Sequence, residues 1–350
     1  MAKTQPMKSE NFKHLKSNSK KKNNELKEVE LAIPIHGIET DNVISFGEVK
    51  ISPPDKVKWE LFGPSFTTKK GKEKLLESYK KEGLTATALV SVRAYRKDAF
   101  LKAYSKLERV FTILTFFNIE IGKGNQIRGK VYMDIEGRAQ LGFCNWYVRR
   151  LDGTSTGFGS KSVGLYYFND LIIDNDKFQL FTKSRIGKRI INILYKKGKE
   201  RNDMEKRIVK SLIWHRQALS QIEPYQQFGF LYIALEVLLY PSQKELTVVK
   251  CDDKKCKKGL WNFPKQEEEF RRRIKTLIKK ESDTNIKYAI ARIMCSSRKK
   301  ESLKKIRNGI FHSGFTGVDS EDVTDLKIAY EAVLLSLLNR LKLPISPSGL

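Results

Sequence analysis

The segment KKIRNGIFHSG (304–314) brings together the residue types that cut a phosphodiester without a metal ion. Arg307 can hold a phosphate through the planar fork of its guanidinium and neutralise charge developing there. His312 carries an imidazole, a group that exchanges protons near neutral pH. It can take the proton of a ribose 2′-hydroxyl or return one to the departing 5′-oxygen. Asn308, four residues before His312, shares a helix face with it and can orient either group. Attack by the 2′-hydroxyl would leave a 2′,3′-cyclic phosphate and a 5′-hydroxyl, a course open to RNA and closed to DNA. Gly314 supplies a helix stop just beyond His312.

The charge balance points to the same kind of partner. Lys plus Arg number 67 and Asp plus Glu 40, a net charge of +27 in 350 residues. Such an excess sets up a field that attracts polyanions, and a nucleic acid is the expected partner. Two basic runs could track the phosphates on either side of a scissile bond. SRKKESLKK (297–305) offers Lys299, Lys300, Lys304 and Lys305, and FRRRIKTLIKK (270–280), with Arg271 and Arg272, is the second. The plainer alternative is that both are solvated helix faces.

Two domains and a tail are expected. Residues 1–27 hold eight Lys and few large apolar groups, and they read as a disordered basic arm. Residues 28–172 read as an α+β domain, largely antiparallel. Alternation places a strand on Val29, Leu31, Ile33 and Ile35, with others over 43–51, 85–95, 130–136, 139–148 and 162–168. One helix is expected there, on a stripe of Leu101, Tyr104, Leu107, Phe111 and Leu114. A linker over 173–184 leads to a helical bundle over 185–345. QQFGFLYIALEVLLY (226–240), apolar nearly all round, is its buried helix, and the final helix begins at Asp319 or Ser320. Burying Glu236 unpaired in that apolar helix would cost on the order of several kcal/mol. It must meet a cation, and Arg307 is the candidate, either to orient the guanidinium or as a structural ion pair.

The stretch RIVKSLIWHRQALSQIEPYQQFGFLYIALEVLLY (207–240), followed later by RNGIFHSG, resembles the Apea-like HEPN family. The points of resemblance are Trp214 in the first long helix, Tyr225 and Phe228 after it, Ala234-Leu235-Glu236 in the second, and Arg307-Asn308 with His312 before the last. They span roughly residues 185 to 343, about 45% of the chain. The resemblance implies a helical domain that forms a homodimer, with two Arg–His motifs facing each other across a composite cleft. It implies a metal-independent endoribonuclease, a toxin or an effector of antiphage defence, with the N-terminal half as a sensing or accessory region. Arg307 would hold the phosphate, His312 would move the proton, Asn308 would position it and Glu236 would orient Arg307. The alternative is a non-catalytic RNA-binding or dimerisation module that keeps the helical domain. A separate regulatory protein, such as a nucleotidyltransferase, is a further candidate partner.

Other features carry less. Cys251 and Cys256 have four residues between them, more than a usual zinc pair, and only Cys295 could join them. No metal or other cofactor is expected. His36, His215 and Trp214 read as structural residues. No phosphate-binding loop, dinucleotide fingerprint, HExxH or nucleophile elbow is present, which removes support for NTPase, dehydrogenase, zinc-protease and esterase activities. No stretch is long and apolar enough for a membrane span, and no apolar core follows the first basic residues. A cytoplasmic location is therefore expected.

Overall fold

The computed structural model describes residues 26–95, 98–114, 141–164, 167–219, 221, 223–240, 263–297 and 300–341. Residues 1–25 of the basic arm, the strand expected at 130–136, Lys299, Cys251 and Cys256 lie outside them, while Lys27, expected at the arm's end, already begins a strand. An antiparallel sheet region comes first in the chain and a mostly helical region follows. Contacts divide the chain into two compact units. One holds residues 26–35, Val43–Glu108 and Cys144–Lys161; the other holds His36–Asn42, residues 109–114 and Ser162 onwards.

The first unit is built on strands β1 (Lys27–Glu39), β2 (Ile44–Phe46), β3 (Val49–Ser52), β4 (Leu84–Ala94), β5 (Leu141–Arg150) and β6 (Thr156–Gly164), in the order β2-β3-β4-β1-β5-β6. Ala32, on the second face of β1, is as buried as Leu31 and Ile33 because Trp59, Phe62 and their neighbours pack over that face. It pairs with β5 antiparallel, Leu31 opposite Val148. The stretch 43–51, expected as one strand, is a hairpin. Gly47 adopts φ 60°, a conformation that suits glycine, and the chain folds back so that Phe46 faces Val49.

Helix α1 (Lys69–Lys81) is not anticipated in the sequence reading, because only Leu75 and Tyr79 give it a buried stripe. The Thr68 hydroxyl caps it by accepting from the Gly71 amide at 3.1 Å. Leu75 and Tyr79 then close on Trp59 and Phe62, forming a small core with Val57 and Ala32. Helix α2 (Ala99–Leu114) also differs from the expected stripe. Leu101 is 52% exposed, while Phe100, Ala103, Leu107, Val110, Phe111 and Leu114 are buried. Leu107, Phe111 and Leu114 point inward as expected and Tyr104 is half-buried. The difference is at the first turn, where Phe100, stacked on Trp146 at 3.9 Å, takes the inward place instead of Leu101.

In the second unit the last part of β1 pairs in parallel with β7 (Tyr167–Ile172). The expected linker is instead a helix, α3 (Asn175–Lys183), which buries Phe181 and ends where Ser184 caps the next helix. There follow α4 (Arg185–Tyr195), α5 (Asp203–Leu219), α6 (Pro224–Leu239), α7 (Phe263–Lys280), α8 (Thr284–Arg292), α9 (Leu303–Ser313) and α10 (Ser320–Arg340). α6 is the hub, packed against α5, α7, α9 and α10, and it buries Phe228, Leu231, Tyr232, Leu235, Leu238 and Leu239. Each such side chain contributes about 1.5–3 kcal/mol when fully buried.

Helix ends are fixed by specific groups. Arg207 donates to the carbonyls of Val237 at 2.8 Å and Leu238 at 2.6 Å and also to Tyr240, closing the C-terminus of α6. Arg201 does the same for α4 through Ile193 at 2.9 Å and Leu194 at 3.0 Å. Asp319 caps α10 by accepting from the Asp322 amide at 2.7 Å. Between α8 and α10, the buried Arg292 donates to Asp325 at 2.6 Å and to Asp322.

His215 and Trp214 are packing residues, as the sequence suggests. His215 is buried and stacks on Tyr330 at 4.8 Å; burial, assisted by Lys327, pushes its imidazole down to about 3. Trp214 is half-buried and stacks on Phe230. Among the described residues no helix is long and apolar enough to cross a membrane.

Candidate active site

α9 carries the RNxxxH residues, and its two ends are set by the chain on either side. Ser302 begins it, its hydroxyl accepting from the Lys305 amide at 3.3 Å. Gly314 ends it with φ 65°, a left-handed residue whose amide bonds back to the Gly309 carbonyl. Leu303 and Ile306 anchor the helix by burial. The final turn is left in solvent, with Asn308, Phe311, His312 and Ser313 exposed.

The expected partner of Glu236, Arg307, is in place. Arg307 Nη2 lies 3.3 Å from Glu236 Oε1 and 3.4 Å from Oε2. Its Nη1 donates to Asn308 Oδ1 at 3.1 Å, so the amide steadies the guanidinium rather than the imidazole. The guanidinium carbon also stands 5.1 Å from the Phe311 ring centre and 6.0 Å from that of Tyr232, within cation–π range. Nε is covered and has no acceptor among the described residues. Burial pushes the Glu236 carboxyl above its ordinary value, and the charge and hydrogen bond of Arg307 only partly offset this.

The helix geometry separates Arg307 from His312. An α-helix advances about 100° per residue, so residues five apart lie about 140° apart around the axis while residues four apart lie about 40° apart. Arg307 therefore goes with Phe311, against α6, and His312 goes with Asn308, toward solvent. Phe311 in turn rests over α6 at Gly229, where an added Cβ would stand 3.6 Å from its ring.

A second ion pair lies beside the first. Lys304 donates to Glu267, which also takes a hydrogen bond from Arg271 at 3.2 Å and one from the Tyr240 hydroxyl at 3.4 Å. Burial works to raise the Glu267 carboxyl, but the bonds from Lys304 and Arg271 prevail and hold it below the ordinary range.

The expected RNA-tracking cations are thus mostly engaged. Lys300 is only 20% exposed at its side chain and pairs with Glu321 and, at 3.8 Å, with Asp325. Lys305 pairs with Glu301 and Arg272 with Glu269, yet both remain in solvent, 68% and 70% exposed. Exposed pairs of that kind are worth about 0–1 kcal/mol, so a polyanion can replace the acid. The structure therefore keeps Lys305 and Arg272 available and commits Lys300 and Lys304 to holding helices. Cys295 is exposed with a free thiol, and no group of three potential metal ligands occurs among the described residues.

Tyr232, Phe311, Tyr240 and Glu267 complete the surroundings of Arg307 and are absent from the sequence-based site. Phe311 was findable, since it stands four residues after Arg307 on one helix. The other three reach the site through packing between helices.

Glu236 gives a pH-dependent expectation. A carboxyl raised in the folded state stabilises the fold below its unfolded value, near 4.5, and that contribution is lost as pH rises through the folded value. Glu236→Gln is therefore at least as stable as wild type at pH 7, and the difference fades below about pH 4.5. Urea unfolding at both pH values reads this directly; a clear loss of stability at pH 7 would make the pair a structural one.

No family model matches the chain, and neither the curated proteins nor the solved structures give a match.

Proposed function

We propose that the chain is a metal-independent endoribonuclease of the HEPN type, acting as a toxin or antiphage effector in the cytoplasm, with its N-terminal region in a sensing or accessory role. The observation that carries this reading is the restrained Arg307. Glu236, Asn308 and two aromatic rings fix its guanidinium beside the exposed end of α9, and the side chain keeps 27% of its surface in solvent.

In this mechanism Arg307 holds a non-bridging phosphate oxygen and offsets the charge that builds on the phosphorane. His312 moves the proton between the 2′-hydroxyl and the leaving 5′-oxygen. A homodimer completes the site, because one α9 directs Arg307 and His312 about 140° apart. A second α9 laid opposite brings an imidazole toward a guanidinium across the cleft. Phe311 and Phe315, 47% and 44% exposed at that helix end, give the second copy apolar surface to cover. Lys305 and Arg272 then meet the flanking phosphates.

The test is incubation with an RNA and a DNA of the same sequence in EDTA. Cleavage of RNA alone is expected. Binding of RNA with no cleavage would favour the non-catalytic module, and cleavage of both would remove the 2′-hydroxyl mechanism.

A further inference from the structure

Arg189, the fifth residue of α4, is 2% exposed, and none of its three side-chain nitrogens has a hydrogen-bond partner. No acceptor for it exists among the described residues. The contrast with the other buried arginine is direct: Arg292, 3% exposed, meets two carboxylates. The half-buried Arg201 and Arg207 close helix ends through backbone carbonyls.

A guanidinium keeps its proton at any ordinary pH and carries five N–H donors. Leaving all of them and a full charge covered and unanswered is among the most costly arrangements a fold can hold. The local sequence makes matters worse. α4 reads RIGKRIINILY, with three cations and no acid. Arg185 lies one turn before Arg189 on the same face, and helical side chains lean toward the N-terminus, over that turn. Burial, together with the charge of Arg185, lowers the proton affinity of Arg189. The N-terminus of α4, capped by Ser184, adds the positive end of its dipole.

We propose that Arg189 is the buried anchor of a small-oxyanion site at the N-terminal half of α4, taking a phosphate group, with Arg185 at its outer edge. The guanidinium fork accepts two phosphate oxygens at once, and a dianion answers both arginines and the helix end. With Arg189 2% exposed, a free phosphate or the terminal phosphoryl group of a small molecule suits the site better than a polynucleotide backbone. This site is independent of the nuclease reading and stands or falls without it.

The experiment is thermal unfolding of the full chain in inorganic phosphate against chloride at matched ionic strength, with AMP and adenosine as further arms. At about a hundredfold excess over Kd the wild-type midpoint should rise by roughly 5–10 °C. Arg189→Met should lose that rise, and in chloride it should unfold no lower than wild type, because an unpaired buried charge is gone. Arg185→Gln, at an exposed position, should rise by fewer degrees than wild type. A rise with phosphate identifies a free-oxyanion site; a rise with AMP alone identifies a phosphoryl site on a nucleotide. A rise with AMP that adenosine matches, or no rise with any arm, overturns the proposal. So does an undiminished rise in Arg189→Met, which would assign the effect to surface cations. Should Arg189→Met fail to fold, an unchanged rise in Arg185→Gln overturns it equally.

Discussion

His312→Ala should slow RNA cleavage by about a hundred- to ten-thousandfold, the range for removing a group that moves a proton in the transition state. It should do so without disturbing the fold. His312 is exposed in the last turn of α9, and substitutions at such positions usually change stability by no more than about 0.5 kcal/mol. RNA affinity should also persist, since Lys305, Arg272 and Arg307 remain. Single-turnover rates, thermal unfolding and fluorescence anisotropy on the same preparation separate these effects. An unchanged rate would take His312 out of the mechanism. Arg307→Ala is a less clean probe, because it leaves the Glu236 carboxylate 20% exposed and without its partner.

Arg292→Ala should destabilise the helical unit by about 3–5 kcal/mol, the cost of breaking a buried ion pair from one side. The Arg292 side chain is 2% exposed and reaches Asp322 and Asp325, joining α8 to the first turns of α10. Its loss leaves two carboxylates facing each other in a covered space. The same turns are tied by Asp319 to the Asp322 amide and by Lys300 to Glu321, so the damage falls on the start of the helix that covers α6. Urea unfolding measures the loss, and a cost below about 1 kcal/mol would mean that water, and not the fold, surrounds these groups.

Much of the helical unit was legible because its signals are local. Gly314 at φ 65°, Asp319 at the N-terminus of α10 and the apolar circumference of α6 each act within a few residues of where they stand. The Glu236–Arg307 contact was legible for another reason: a charge in an apolar helix needs a cation, and the motif had already singled out Arg307. The rest depends on distances the chain covers in space. Lys304 reads as a free cation until α7 brings Glu267 beside it. Leu101 fits a helical stripe as well as Phe100 does, and only Trp146 decides which faces inward. Helix α1 has too few apolar residues to declare itself, and it depends on a cap and on Trp59. The hairpin at 43–51 turns on one glycine whose neighbours alternate as a single strand would.

The central claim is that Arg307 and His312 direct 2′-hydroxyl attack. It is tested most directly by reading the ends left when the full chain meets an RNA pool in EDTA. Cleavage leaving 2′,3′-cyclic phosphate and 5′-hydroxyl ends, present in wild type and lost in His312→Ala, is the predicted result. Ends bearing 3′-hydroxyl and 5′-phosphate, or equal cleavage by both proteins, would contradict it.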